Sequence, residues 1–136
     1  PQSFRNWKKS LIGEMARMAR ILHDRNWFHK DLYLCHFYIH KNDTFRIPDN
    51  WRERLVLIDL HRLSNHGWTS QIWKIKDLAQ LIYSSEIEGV DDRDRLEFWR
   101  FYRDLGPKSS LDRLLLFIIK LKWTRYRNHN LKKMAA

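Results

Sequence analysis

The sequence predicts a mainly α-helical domain carrying one small β-hairpin, over residues 1–136 with no internal boundary. Three observations carry that reading. Apolar residues recur at spacings of three and four along four stretches, as they do in helices that bury one face. Two short runs, His36–His40 and Leu55–Ile58, are instead aromatic, β-branched or continuously apolar, as strands are. Hydrophobic residues make up 43% of the 136 positions and aromatics 14%, which excludes a disordered tail and supplies a core.

The first helix is expected from about Phe4 to Asp24, with Trp7, Leu11, Met15, Met18 and Leu22 on one face. From Asn26 to Lys41 that period breaks, and Trp27-Phe28-His29-Lys30-Asp31 mixes aromatic with charged residues. His36–His40 reads as a strand and Asn42-Asp43 as a turn. Arg46–Arg54, with Pro48 and many charges, reads as an exposed connection. Leu55–Ile58 then suits a short buried strand that ends in Asp59. A second helix is expected over Gln71–Ser84, with Ile75, Leu78, Ala79 and Ile82 as its apolar stripe. A third begins near Asp91-Asp92, where acids suit the positive end of the helix dipole, and stops at Gly106-Pro107. The last takes Ser109 or Ser110 as its N-cap and runs to about Arg127. Trp7, Trp27, Trp73 and Trp99 are assigned to core or inter-helix packing, and Cys35 to a small buried site.

Lys and Arg number 26 against 16 acids, a net charge of +10 that favours anionic partners: nucleic acid, an acidic membrane surface or a phosphorylated ligand. The single cysteine excludes an intramolecular disulfide, and a reducing compartment fits. The longest apolar run, Leu114–Ile119, is far short of the roughly 20 residues of a membrane-spanning helix. The six histidines from His23 to His66 match no zinc-ligand spacing. Because the chain begins at Pro1 rather than a methionine, a fragment of a longer protein is the expectation.

Two acids stand where a bland reading does not put them. Asp31 lies inside an aromatic stretch, and Asp59 ends an apolar strand. Each alone reads more readily as a turn cap or, for Asp59, a partner of Arg62. Together they form an ordered set: His29-Lys30-Asp31, a histidine five residues on at His36, a strand, a connection, and a second strand ending in Asp59. That is the layout of a protein-kinase catalytic loop followed by its metal-binding Asp. One carboxylate near an acceptor hydroxyl and one on a metal are the minimum set for phosphoryl transfer. If the two strands pair, the loop before the first comes to lie beside the end of the second. Arg62 either pairs with a nearby acid or approaches phosphate.

The phrases HKDLYLCHFYIH, LVLIDLHRL and KDLAQLIYSS, in order over about Leu11–Ser85, resemble the lipopolysaccharide core heptose kinase family, which is related to the Kdo kinases. The resemblance implies the C-terminal lobe of a protein-kinase-like fold, with the N-terminal lobe absent. It implies Asp31 as the catalytic residue that takes or orients the acceptor proton, and Asp59 as a ligand of the Mg²⁺ that bridges ATP phosphates. His36 stands where protein kinases have a metal-binding Asn, so it either meets the metal through Nε2 or hydrogen-bonds Asp31. Asp77 resembles the acid, near the start of the following helix, that holds the catalytic-loop backbone, and His29 packs under that loop.

The implied reaction is ATP-dependent, Mg²⁺-dependent phosphorylation of a heptose hydroxyl in the lipopolysaccharide inner core, at the cytoplasmic face of the inner membrane. Its acceptor is a lipopolysaccharide core or lipid-linked sugar; Kdo, another small molecule or a protein side chain are alternatives. No Gly-rich loop or phosphate-binding strand lysine occurs in the right order, so this chain alone is expected to be inactive. A lobe without its partner would expose an apolar face and self-associate. Basic Lys120, Lys122, Arg125 and Arg127, near Trp123 and Tyr126, read equally as a contact for anionic membrane or as a solvated helix end. The reading from another class is a non-catalytic basic module for anionic lipid or nucleic acid. It leaves Asp31, Asp59 and Asp77 unexplained, and no RNA-binding motif is present.

Overall fold

A computed structural model describes residues 1–104 and 112–135. Helix α1 spans Gln2–Asp24, strand β1 Trp27–Phe28, β2 Phe37–Ile39, β3 Leu55–Leu57 and β4 Ser64–Asn65. Helices α2 (Ser70–Ser84), α3 (Asp92–Asp104) and α4 (Asp112–Ala135) follow. The four expected helices are present, and α4 runs eight residues past Arg127. The expected stop at Gly106-Pro107 and cap at Ser109 or Ser110 lie outside the described residues.

The expected strand pair forms. Strands β2 and β3 are antiparallel, with Phe37 opposite Leu57, Tyr38 opposite Val56 and Ile39 opposite Leu55. A second antiparallel pair, β1 with β4, sets Trp27 opposite Asn65 and Phe28 opposite Ser64. At two residues each, these strands are too short to leave a periodic signal in sequence.

Helix α1 packs on α3, and α2 on α4. The core gathers Met15, Ala16 and Ala19 of α1 with Leu78, Ala79 and Leu81 of α2, and Phe98, Trp99 and Tyr102 of α3. The alanines bury to 0–1% exposure, which lets the helix backbones approach closely. Asp91 and Asp94 cap α3 reciprocally: each carboxylate accepts the other's backbone N–H, at 3.0 and 3.1 Å. Lys8 Nζ donates to Asp94 at 2.7 Å and ties that cap to α1.

Three expectations are corrected. The connection before β3 is not wholly exposed: Trp51 is buried and donates from Nε1 to Ser10 Oγ at 3.1 Å, which anchors the connection on α1. Trp27 is 40% exposed, because the strand alternation that buries Phe28 turns Trp27 outward. Cys35 is exposed on a short 3-10 turn, Leu34–His36, between the loop and β2. No helix among the described residues is long and apolar enough to cross a membrane.

Candidate active site

Pairing of β2 with β3 carries the chain from Asp31 alongside Asp59. Ile58 N–H donates to His36 O at 2.9 Å, one step beyond the ladder. His29, fully buried, spans the same gap from below. Its Nδ1 accepts from Asp31 N–H at 3.2 Å, so the proton sits on Nε2, which donates to Ile58 O at 2.9 Å. One imidazole therefore holds the backbone next to both acids.

The loop over 29–34 is held from α2 in register. Asp77 Oδ2 accepts from His29 N–H at 3.0 Å, and Oδ1 from Lys30 N–H at 2.8 Å. Gln80 Oε1 accepts from Leu32 N–H at 3.2 Å, and Ser84 Oγ from Leu34 N–H at 2.8 Å. Residues 77, 80 and 84 share one helix face. Three or four helical residues advance about 4.5–6 Å, close to the roughly 6.6 Å of two extended residues, so the two elements stay in step. Asp77 sits in the middle of α2, not near its start, which is what centres it under the loop.

Asp77 Oδ2 also meets His23 Nε2 at 2.9 Å, and His23 Nδ1 meets the Tyr102 hydroxyl at 2.8 Å. Burial pushes the His23 imidazole below its ordinary pKa, against the pull of its bond to Asp77, and burial raises that of the Tyr102 hydroxyl. The consistent assignment is a neutral imidazole: Tyr102 O–H donates to Nδ1, and Nε2–H donates to Asp77. Gln80, Ser84, His23 and Tyr102 were not anticipated as supports of the loop. Gln80 and Ser84 were within reach, at three and seven residues beyond Asp77; His23 and Tyr102 left no local signal.

At the surface of this scaffold stand the candidate reacting groups. Asp31 is 17% exposed, and its Oδ1 accepts from Arg62 Nη1 at 3.0 Å. Arg62 thus takes the acid-pairing alternative, with Asp31 rather than Asp59 as partner. Asp59 has a left-handed backbone, φ +63°, and its carboxylate lies between two imidazoles. His36 Nε2 is 3.3 Å from Oδ2, and His61 Nδ1 bonds Oδ1.

The donor chemistry of this pair bears on a cation. His36 Nδ1–H donates to the Asp31 carbonyl at 2.7 Å, and a carbonyl only accepts. A neutral His36 therefore turns the lone pair of Nε2 toward a carboxylate oxygen, acceptor against acceptor. Either a proton or a metal ion relieves that contact. Neighbouring ligands on an octahedral cation with bonds of about 2.1 Å lie about 3 Å apart, so the separation suits a divalent ion. Among the described residues no group of three or more metal-ligating side chains converges, so phosphate or water oxygens would complete such a shell. The two alternatives for His36 are thus compatible: Nδ1 bonds the Asp31 backbone, and Nε2 is left toward Asp59.

The basic residues near the C-terminus divide. Arg127 is committed to Glu86 and to the Trp123 ring, 4.6 Å from its centroid. Lys120 and Arg125 are exposed, and the Lys122 side chain lies outside the described positions.

Comparison with known proteins agrees over this region. Residues 3–102 match the family model of the lipopolysaccharide kinase (Kdo/WaaP) family. A lipopolysaccharide core heptose(I) kinase WaaP of Pseudomonas aeruginosa is 38% identical over 95 residues, covering 70% of this chain and 34% of that protein. The protein of the same name from Escherichia coli K12 is 31% identical over 131 residues, 93% of this chain and 47% of that one. A solved structure titled as WaaP in complex with acyl carrier protein superposes with a TM-score of 0.67 at 33% identity, covering 92% of this chain and 50% of that one. The chain thus spans about a third to a half of the length of the relatives it matches.

Proposed function

The chain belongs to the lipopolysaccharide kinase (Kdo/WaaP) family, and from that premise we propose that it is the catalytic-loop half of an ATP-dependent kinase acting on a heptose hydroxyl of the lipopolysaccharide inner core. The observation that carries this reading is that the β2–β3 pair sets His36 between the two acids, with Nδ1 on the Asp31 carbonyl and Nε2 toward the Asp59 carboxylate. The remainder of the two-lobed domain belongs to the parent protein. The exposed cross-strand pair Tyr38 and Val56, with Ile58 and Leu60 beyond it, is apolar surface of the kind a second lobe covers.

In this reading Arg62 occupies Asp31 Oδ1, and Oδ2 takes the proton of the acceptor hydroxyl. The acceptor oxygen forms its bond to the γ-phosphorus as the bond from that phosphorus to the β–γ bridging oxygen breaks, and ADP leaves. Asp59 and His36 would hold Mg²⁺, which when bound neutralises charge on the phosphates. Arg62, half exposed beside Asp31, is placed to meet the phosphoryl group in transfer.

The chain also takes an acyl carrier protein as partner in this proposal, as the solved neighbour does. An apolar cavity of about 280 Å³ between α1, α2 and α3, lined by Trp7, Leu11, Met15, Leu81 and Phe98, is chemistry that suits an acyl chain. Exposed Lys120 and Arg125 support work at an anionic membrane surface, on its cytoplasmic face.

The test is transfer of labelled phosphate from ATP by the parent protein, offered a heptose-containing core saccharide, Kdo, or protein in separate assays. Asp31→Asn and Asp59→Ala are each expected to lower turnover by about a hundredfold or more without lowering the melting temperature. Turnover like the wild type in either variant would remove the role given to that residue. Transfer to Kdo or protein in preference to heptose would replace the acceptor.

A further inference from the structure

Helix α4 is apolar on two opposite sides. One side is packed: Ile119 is fully buried, and the Tyr126 ring lies 6.0 Å from that of Tyr83 on α2. The other side faces solvent, with Phe117 58%, Leu121 52% and Leu131 57% exposed. At about 100° per residue these three fall within about 80° of arc, opposite Ile119 and Tyr126, and they reach about 21 Å along the helix. Single exposed leucines are ordinary, but a row of three large apolar side chains along one helix face is not. The charges follow the same geometry. Lys120 flanks the row on one edge, Arg125 and Lys132 on the other, and all three are exposed. Among the described residues none of the three makes an ion pair. Uncharged Thr124 and Asn128 fill the middle of the row. No Asp or Glu occurs after Asp112, so the helix beyond its first residue carries cations only. The surface that satisfies this face offers hydrocarbon along a straight centre line and negative charge along both edges. A bilayer with anionic headgroups does so, because apolar side chains reach below the headgroups while Lys and Arg extend back up to them. An acidic protein would have to bring a groove of matching length between two acidic rims; a bilayer needs no such match.

We infer that α4 lies in the plane of an anionic bilayer, with Phe117, Leu121 and Leu131 among the acyl chains and Lys120, Arg125 and Lys132 at the headgroups. This rests on the membrane-surface reading above and deepens it, from attraction by charge to insertion of side chains. Apolar burial and charge each give weak, reversible attachment alone, and together a firmer one. The consequence reaches the candidate active site, because α4 packs on α2 and α2 holds the loop that bears Asp31. Seating α4 sets Asp31 at a fixed height over the membrane, where a lipid-linked acceptor presents its sugar.

The experiment is flotation of the parent protein with vesicles across a range of salt. The vesicles are phosphatidylcholine alone, or two parts phosphatidylcholine to one part phosphatidylglycerol. The wild type should bind the anionic vesicles about tenfold or more tightly than the neutral ones, and keep part of that binding at high salt, where charge is screened. Phe117→Gln with Leu121→Gln keeps every charge; it should weaken binding about tenfold or more and abolish the part that survives salt. Lys120→Gln with Arg125→Gln keeps the apolar row; it should weaken binding at low salt and flatten the salt dependence. Both pairs are exposed, so the melting temperature should stay within a degree or two. Should the first pair melt lower, Leu131→Gln at the far end of the row carries the same test, with a severalfold loss expected. Binding like the wild type in the apolar variants, with loss in the charge variant, overturns insertion and leaves the charge-based membrane reading standing. No affinity of the wild type for either vesicle overturns both. Equal affinity for the two vesicles overturns the anionic partner. A dimer, or a complex with an acidic protein, that the apolar variants dissolve while vesicle binding stays intact gives the face to that partner and overturns the membrane assignment.

Discussion

His36 links Asp31 and Asp59, yet the chain holds the two acids in different ways. The loop bearing Asp31 is fastened at every second backbone N–H to α2, through Asp77, Gln80 and Ser84, and Asp77 is itself fixed by His23 and Tyr102. All of these supports but the half-buried Ser84 are buried, where water competes little for their bonds. The segment bearing Asp59 has no comparable anchor for its carboxylate. It is 39% exposed, its backbone is left-handed, and its partners are His36 and the largely exposed His61. The difference teaches which half of the site folding completes. In the proposed reaction, the group that would aim at an acceptor oxygen is positioned before any ligand arrives, and the group suited to a cation is left with unmet electrostatic demand.

The comparison breaks most sharply at Asp77. Asp77→Ala leaves His29 N–H, Lys30 N–H and His23 Nε2–H without their acceptor in the interior. Unmet buried donors cost about 1–3 kcal/mol each, and partial relaxation brings the sum to about 3–5 kcal/mol. That is a large part of a typical domain's stability. Urea unfolding of the parent protein, followed by circular dichroism, should show this loss, against less than about 0.5 kcal/mol for Asp59→Ala. A loss below about 1 kcal/mol at Asp77 would mean the clamp is not a stability element, and the contrast between the two walls would disappear.

What was legible beforehand follows the same division. The helices declared themselves through apolar residues at three- and four-residue spacing, and the two acids stood out because each interrupts an apolar or aromatic run. Asp77 and His29 came from the likeness of their motifs to the family. The bond between His23 and Tyr102 joins residues 79 apart, and both read as ordinary helix positions. Their pairing depends on α1 lying against α3, which no local pattern encodes. The left-handed backbones of Lys30 and Asp59 were equally silent, because tertiary contacts rather than glycine impose them. Trp27 was misassigned because aromaticity says nothing about which face of a two-residue strand turns outward.

Acid should act on the anchored wall through His23. Its folded pKa lies below its ordinary value of 6.5, so the unfolded chain takes up a proton first as pH falls. The stability this contributes is complete above about pH 6.5 and is lost as pH falls from there toward the lowered folded value, by at most about 1.4 kcal/mol per pH unit for one group. Urea midpoints of the parent protein at pH 7.5, 6.5 and 5.5 should fall in that order, and His23→Gln should flatten the difference. A decline equally steep in His23→Gln would move the acid sensitivity to another group and leave the anchored wall indifferent to pH.

The smallest effect has the opposite sign and sharpens the contrast. Asp59 adopts φ +63° without being glycine, a conformation that costs a residue with a Cβ about 1 kcal/mol, somewhat less for aspartate. Asp59→Gly removes that strain and gives up only exposed contacts with His36 and His61. The glycine also widens the freedom of the unfolded chain, which works against the gain. The balance should be a stabilisation of about 0.5 kcal/mol, a rise of a degree or two in the melting temperature, in a protein that no longer transfers phosphate. A variant that melts higher and is inactive would place the strain at Asp59 in the service of catalysis, as a trade of stability for function. A fall of more than about 1 kcal/mol would mean that His36 and His61 anchor this segment as firmly as α2 anchors the loop, and the two walls would have to be regarded as equally built.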